Sequence, residues 1–244
     1  MKIINKIIKK ILRKLSRVVF NLIPHELYLF FKIKTIGKNV YTHYEENDIL
    51  QCFNHFEKHL QNAVHLDHLG IRKYAIEKSL LNDKQKNKFY LEFGVYIGTS
   101  ANFFSEYVNK LYAFDSFEGL REDWVGGYIP KGHFNLDKKI PKLNKNIEPI
   151  VGFIQDTLED FLKKHNPIIN FVHMDMDTYE STKYALEKLK PYLIKDSIIL
   201  FDELYNFPGW RNGEYKALQE TFDESEYKFR AFSSRGSQVV IQLN

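Results

Sequence analysis

Cysteine is nearly absent from this chain, in which Cys52 is the only one among 244 residues. A single thiol excludes an internal disulfide framework and any zinc site built from several thiolates, so we expect a reducing, cytoplasmic compartment. Long apolar runs are also missing, since no segment approaches the roughly 18 apolar residues that a membrane-spanning helix needs. The contents of hydrophobic residues, 44%, and charged residues, 27%, are those of a globular protein, and the length suits one large domain with an appendage.

Positive charge is concentrated at the N-terminus. Residues 1–38 contain ten Lys or Arg and the single acid Glu26, for a net charge of +9, whereas the remainder has 25 basic and 30 acidic residues, for a net charge of −5. A protein that binds nucleic acid normally carries its basic surface on the folded body. The acidic body therefore argues against a nucleic-acid partner.

The basic segment, residues 1–38, has apolar residues at helical spacing from Ile3 to Leu22, with Lys and Arg on the opposite face. This pattern predicts a basic amphipathic helix. Such a helix suits peripheral contact of residues 1–23 with an anionic membrane, at its inner face. The same apolar stripe suits docking on the body or on the second subunit of a homodimer, which amphipathic helices do more often. The sequence leaves both interpretations open.

The rest of the chain predicts an α/β fold. Residues 39–88 are helical and irregular and form a lead-in, and from residue 89 onward short apolar runs alternate with helical segments. The alternation predicts a seven-stranded, mainly parallel sheet with helices on both faces, ending in an antiparallel hairpin of residues 228–233 and 238–243. Sheets of this kind bind their ligands at the carboxyl ends of the strands.

Glycines and acids follow the first two predicted strands. Glu92, Gly94, Gly98 and Ser100 form the pattern E-x-G-x-x-x-G-x-S. The glycines let the backbone approach a ligand, but the pattern lacks the closely packed glycines of a pyrophosphate site, which favours a nucleoside ligand without phosphates. Asp115, at the end of the second strand, is suited to accept hydrogen bonds from both hydroxyls of a ribose.

Further acids follow the next three strands. Asp156 comes after the third strand, where it either meets an adenine amino group or caps a helix. The fourth and fifth strands are followed by Asp175, Asp177, Asp202 and Glu203. Converging carboxylates repel one another unless a cation lies between them, and an all-oxygen ligand set favours Mg²⁺. Solvated helix caps are the alternative interpretation of these four acids.

Several segments between residues 89 and 220 resemble the macrocin (TylF-like) O-methyltransferase family. They are E-F-G-V-Y-I-G-T-S from Glu92, F-D-S-F-E-G-L from Phe114, D-T-L from Asp156, H-M-D-M-D-T-Y-E-S-T from His173 and F-D-E from Phe201. The resemblance implies a Rossmann-like class I methyltransferase domain over residues 89–244. Its members use S-adenosylmethionine and a divalent metal to methylate a sugar hydroxyl.

The resemblance also implies a role for individual residues. It assigns S-adenosylmethionine binding to Glu92, Gly94, Tyr96, Gly98, Ser100, Asp115, Ser116 and Asp156. By the same resemblance Asp175, Asp202 and Glu203 bind the metal, and Asp177 is the general base. The family usually has aspartate at the position of Glu203. Glutamate has a longer side chain than aspartate, which could change which metal binds or how tightly. It still provides a carboxylate oxygen as a ligand.

Two aromatic segments suit the binding of a saccharide. Residues 117–147 are too long for an ordinary connection and are predicted to form a lid, which contributes Trp124, Tyr128 and His133. The second segment, residues 205–211, follows the metal acids and contributes Tyr205 and Trp210. Simple packing is the alternative role for each of these aromatic residues.

Together these features predict an O-methyltransferase that depends on S-adenosylmethionine and on a divalent metal, most simply Mg²⁺. The expected acceptor is a sugar hydroxyl on a nucleotide-activated or lipid-linked sugar for surface polysaccharide biosynthesis. A natural-product sugar is the nearest alternative acceptor. An NAD-dependent oxidoreductase of similar fold is disfavoured by the glycine spacing and by the acids, and a non-catalytic module that binds a membrane or a partner is the third hypothesis.

Overall fold

The computed structural model of the protein describes residues 39–125 and 129–244. The predicted basic helix of residues 1–38, with the membrane contact assigned to residues 1–23, and Tyr128 lie outside the described residues. Residues 47–244 form one compact unit. Within the described ranges, no helix combines the length and the apolar character needed to cross a bilayer.

Helices and strands alternate along most of the described chain. The helices are α1 (Val40–Leu60), α2 (His68–Leu80), α3 (Thr99–Ser105), α4 (Ile154–His165), α5 (Tyr179–Leu189) and α6 (Glu214–Thr221). The strands are β1 (Val64–Leu66), β2 (Phe89–Phe93), β3 (Leu111–Asp115), β4 (Ile147–Val151), β5 (Ile169–Met174), β6 (Leu193–Phe201), β7 (Tyr227–Ser233) and β8 (Val239–Leu243). Single 3-10 turns lie at Lys190–Tyr192, Trp210–Asn212 and Glu224–Glu226.

The eight described strands form one sheet in the order β1-β7-β8-β6-β5-β2-β3-β4. β8 is antiparallel to β6 and β7, and the other neighbouring pairs are parallel. The predicted fold class is confirmed, including the C-terminal hairpin. The sheet has one strand more than the seven predicted, because Val64–Leu66 pairs with residues 231–233. A strand of three residues is too short to show a periodic pattern.

The central strands are apolar on both sides because helices cover both faces of the sheet. β5 is buried at all six positions and β8 at all five. Alternate residues of a strand face opposite sides, and accordingly Phe171 and Val172 of β5 belong to two different apolar clusters. The sheet is therefore a rigid layer between two apolar cores. Residues that directly follow its strands are held in place by it.

The carboxyl ends of β2, β3 and β5 meet at one edge of the sheet. The N–H of Gly94 donates to the carbonyl of Phe114 at 2.9 Å, and the N–H of Asp175 donates to the carbonyl of Phe93 at 2.9 Å. Gly94 has a φ of 87°, and a Cβ at this position would lie 1.7 Å from the carbonyl oxygen of Asp175. Only glycine allows this approach, so Gly94 fixes how closely the ends of β2 and β5 lie together.

Candidate active site

A cavity of about 310 Å³ opens at this carboxyl edge of the sheet. It is lined by residues that follow β2, β3, β4, β5 and β6, and by part of the 117–147 loop. Sheets of this class bind ligands in the same place. The charged residues in its wall are Arg121, Asp115, Asp175, Asp177 and Glu203.

Asp115 connects the turns that follow β2 and β3. Its Oδ2 accepts hydrogen bonds from the N–H groups of Val95 and Tyr96, both at 2.8 Å, and its Oδ1 accepts one from Phe117 at 2.7 Å. Tyr96 and Phe117 have φ values of 46° and 55°, left-handed conformations that side chains disfavour. The carboxylate thus stabilises two strained turns, and it also lines the cavity.

The structure brings only part of the predicted cofactor set into the cavity wall. Gly94, Tyr96, Asp115 and Ser116 line it. Among the others, Gly98 is the N-cap of α3, Ser100 is buried within that helix, Asp156 is exposed in the first turn of α4 and Glu92 is fully buried. The residues that line the cavity after β4 are 152–155, just before Asp156.

Three carboxylates converge beside the cavity. Asp175, Asp177 and Glu203 each offer one oxygen, and these oxygens lie within 4.8 Å of one another. Oε2 of Glu203 is buried without a hydrogen-bond partner in the described chain. Burial and then the charge of Asp202 raise the pKa values of Asp175 and Glu203 well above their usual range, and raise the pKa of Asp177 to about 7. A divalent cation would relieve this mutual repulsion.

Asp202 belongs to a second network beside these acids. Its Oδ1 accepts hydrogen bonds from Nη2 of Arg72 at 3.3 Å and from Nε2 of Gln238, and it lies 3.3 Å from Nε2 of His173. Burial opposes ionisation, but the hydrogen bond with His173 and the charges of His173 and Arg72 lower the pKa of Asp202. Asp202 also lies within 4.8 Å of ligand atoms of Asp175 and His173, as a second group that could hold a metal.

His173 is fully buried between two acids. Its Nδ1 lies 3.0 Å from Oε1 of Glu92, on the side opposite to Asp202. Burial favours the neutral ring, but hydrogen bonds with Asp202 and Glu92 raise the pKa of His173 to about 9. A charged imidazole donates from both nitrogens and is a poor metal ligand. His173 therefore bridges Asp202 and Glu92 through its two ring nitrogens.

Two charged residues near the acids could not be recognised from any sequence pattern. Glu214 is fully buried at the start of α6, and its Oε2 accepts a hydrogen bond from the N–H of Glu203 at 2.9 Å. Burial raises its pKa well above the usual range. Arg72 comes from α2, 130 residues before Asp202. Neither stands at a strand end or in a motif, so only the tertiary structure reveals their position.

Aromatic residues and one cation form the opposite part of the wall. The 117–147 loop contributes Arg121, Trp124 and Phe134. Nη1 of Arg121 donates to Oε1 of Gln155 at 2.9 Å, and the guanidinium lies 5.3 Å from the ring centroid of Phe153. His133 is exposed outside the wall, with its ring 4.4 Å from that of Phe134.

Tyr205 and Trp210 lie in the core. Their ring centroids are 5.8 and 5.2 Å from that of Phe56, and Trp210 is 1% exposed. The hydroxyl of Tyr205 donates to the carbonyl of Ser233. Their contacts are those of core packing, which was the alternative role that the sequence left open for both residues.

A family comparison decides between the enzyme classes. Residues 91–204, just under half of the chain, match the model of a methyltransferase domain. The predicted class of enzyme, a methyltransferase that uses S-adenosylmethionine, is thereby confirmed. No curated protein matches the sequence of this methyltransferase.

Solved structures of methyltransferases share the fold. The crystal structure of CalS11, a calicheamicin methyltransferase, is 19% identical, with 85% of this chain and 94% of CalS11 covered and a TM-score of 0.59. A second CalS11 structure, described as a TDP-rhamnose 3'-O-methyltransferase, is 21% identical, with 72% and 81% covered and a TM-score of 0.52. The O-methyltransferase NovP is 17% identical, with 71% and 78% covered and a TM-score of 0.50. At these identities the similarity establishes the fold.

Proposed function

We propose that this methyltransferase transfers a methyl group from S-adenosylmethionine to a sugar hydroxyl with the help of a divalent cation, most simply Mg²⁺. The observation that carries the proposal is the convergence of Asp175, Asp177 and Glu203 at the wall of the cavity. Asp115 lines the same cavity at the strand end where related folds bind a ribose. Cofactor and acceptor would therefore share one cavity.

The donor set suits a hard divalent cation. Asp175 belongs to both candidate groups of the described chain, one with Asp177 and Glu203 and the other with His173 and Asp202. A buried carboxylate oxygen without a partner, such as Oε2 of Glu203, is unfavourable unless a charge compensates it. Asp175 and Glu203 would hold the ion, together with Asp202. Carboxylate oxygens are the ligands that Mg²⁺ prefers.

Asp177 is the residue suited to accept the proton of the acceptor. A cation held by the neighbouring acids would lower the pKa of the acceptor hydroxyl. Asp177 takes up the proton as the hydroxyl oxygen bonds to the methyl carbon and the carbon–sulfur bond breaks, which leaves a methyl ether and neutral S-adenosylhomocysteine. Asp177 has a φ of 60°, a strained conformation of the kind that proteins retain at functional sites.

A sugar acceptor is supported by the wall and by the similar structures. Trp124 and Phe134 line the cavity, and aromatic rings pack well on the apolar faces of sugars. CalS11 is described as acting on TDP-rhamnose. We propose a nucleotide-activated or lipid-linked sugar for surface polysaccharide. A natural-product sugar is the second candidate, favoured by the calicheamicin context of CalS11. Kinship with the macrocin family is part of this proposal.

The basic segment would bring the enzyme to anionic lipid at the inner face of a membrane. Sedimentation with phosphatidylglycerol vesicles at low salt tests this for the full chain and for a variant that lacks residues 1–23. We expect binding that high salt reverses, since the attraction is electrostatic, and that the deletion removes. Equal sedimentation of both chains would contradict the membrane contact. A dimer that dissociates on deletion would favour subunit docking.

Product formation with and without a chelator tests the proposed reaction. The full chain is incubated with S-adenosylmethionine, Mg²⁺ and a panel of sugar nucleotides that includes TDP-rhamnose, and products are analysed by mass spectrometry. We expect a sugar nucleotide that gains one methyl group, loss of the product with EDTA, and recovery with excess Mg²⁺. Undiminished activity after exhaustive chelation would contradict the metal. Absence of methylation across nucleotide-activated, lipid-linked and natural-product sugars would contradict the acceptor class.

A further inference from the structure

The aromatic loop that follows β6, residues 205–211, is held by helix α1. Tyr205 and Trp210 of this loop pack against Phe56 of α1. The N–H of Asn206 also donates to Sγ of Cys52, at 3.3 Å. Helix α1 lies outside the segment that matches the methyltransferase domain, yet it fixes this loop.

Asp48 provides the polar part of that anchor. Its Oδ2 accepts a hydrogen bond from the N–H of Gly209 at 2.7 Å, and its Oδ1 accepts one from Nη1 of Arg211 at 2.8 Å. The guanidinium of Arg211 lies 4.4 Å from the ring centroid of Trp210. Asp48 is only 8% exposed, so these charge-assisted bonds are better shielded from water than an ion pair on the surface.

The loop reaches the cavity wall through a ring contact. Phe207 packs against Trp124 with centroids 6.3 Å apart and ring planes at 65°. Trp124 lines the cavity, and the backbone hydrogen bond from its N–H to Ile129 is 2.9 Å long. Its indole N–H has no acceptor among the residues that the structure describes. Phe207 thus supports a residue of the cavity wall.

We propose that Asp48 is a positioning residue for the acceptor. Asp48 fixes the 205–211 loop, Phe207 of that loop fixes Trp124, and Trp124 contacts the sugar through its ring. The inference rests on the proposed function and deepens it. The hydrogen bonds of Asp48 go to the 205–211 loop rather than to Asp115 or the converging acids, so acceptor binding should depend on Asp48 while cofactor binding should not.

Steady-state kinetics of the full chain test the inference. Asp48→Ala should raise KM for the sugar nucleotide about three- to tenfold and leave KM for S-adenosylmethionine unchanged, because only acceptor contacts are disturbed. Asp48→Asn keeps an oxygen for Gly209 but loses the charge that faces Arg211, so its effect should be intermediate. Glu57→Ala, at an exposed position of the same helix, is the matched control. Equal rises in both KM values, or no rise, would overturn the proposal.

Fluorine NMR of the chain labelled with fluorotryptophan tests the same connection without turnover. The chain has two tryptophans, and Trp124→Phe assigns their resonances. Asp48→Ala should shift or broaden the Trp124 resonance, Glu57→Ala should leave it in place, and a sugar nucleotide should shift it in the wild type. An unmoved resonance in Asp48→Ala rules out the inference even in an active enzyme. A failure of the proposed function would give a different result. In that case the wild type would methylate no sugar nucleotide, and no sugar nucleotide would shift the Trp124 resonance.

Discussion

The two sides of the cavity are built in different ways. On the strand side, acids lie at or just after the ends of strands of one sheet, and the carboxylate of Asp115 accepts three hydrogen bonds from backbone N–H groups. On the loop side, side chains from residues 117–147 are held by side-chain contacts outside the sheet, such as Trp124 with Phe207 of the 205–211 loop and Arg121 with Gln155 in the first turn of α4. The sheet sets the geometry of the first side, and side-chain contacts outside the sheet set the geometry of the second.

This difference separates the chemistry of the reaction from the choice of substrate. Proton transfer and metal binding need charged groups at fixed distances, which neighbouring strands provide because their backbones are hydrogen-bonded to each other. Loops on a rigid scaffold can vary and still leave that geometry intact. We therefore expect substitutions on the strand side to have large effects on turnover or cofactor affinity, and substitutions on the loop side to have small ones.

The largest expected effect is that of Asp177→Asn. Asparagine tolerates the left-handed backbone at this position, so the variant should fold but lack the proton acceptor. We expect kcat to fall about 100- to 10,000-fold, the usual range for removal of a general base. Calorimetry should show that the affinity for S-adenosylhomocysteine is nearly unchanged. If kcat of the variant stayed within about tenfold of the wild-type value, Asp177 would not be the residue that accepts the proton.

The strand side could be predicted from the sequence to a large extent. An apolar run that ends in an acid places that acid at the carboxyl edge of a parallel sheet, and this rule found Asp115, Asp175, Asp177 and Glu203, which all line the cavity. The glycine pattern found Gly94, whose lack of a Cβ the fold requires. These predictions succeed because strand order and register convert sequence position into spatial position.

The loop side and the charges behind the acids could not be predicted in this way. Tyr205 and Trp210 share the aromatic character of Trp124, but they pack in the core, because a composition typical of a sugar site is equally typical of a core. Arg72 reaches Asp202 from α2, a contact between distant parts of the chain that leaves no local pattern. Strand β1 was missed because its pairing, at the edge of the sheet, is also non-local.

A smaller effect is expected for Asp115→Asn, also on the strand side. The amide places an N–H₂ group where one carboxylate oxygen now accepts backbone hydrogen bonds from the turns after β2 and β3. Loss of charged hydrogen bonds of this kind should weaken binding of S-adenosylhomocysteine about 10- to 100-fold, as measured by calorimetry. Asp160→Asn, at an exposed position of α4, is the control and should bind as the wild type does. Equal affinities of the two variants would show that Asp115 does not shape the cofactor site.

The smallest effect is expected for Arg121→Gln, on the loop side of the same cavity. The change removes the cation near the ring of Phe153 and weakens the hydrogen bond to Gln155. An exposed cation–π contact contributes about 0.5–1 kcal/mol, so affinity for S-adenosylhomocysteine should fall only about two- to fivefold. Lys138→Gln is the matched control, because Lys138 lies in the same loop and pairs with Glu118 at 3.1 Å outside the cavity wall. If Arg121→Gln weakened binding as much as Asp115→Asn, the loop would carry as much of the cofactor affinity as the sheet, and the contrast between the two sides would not hold.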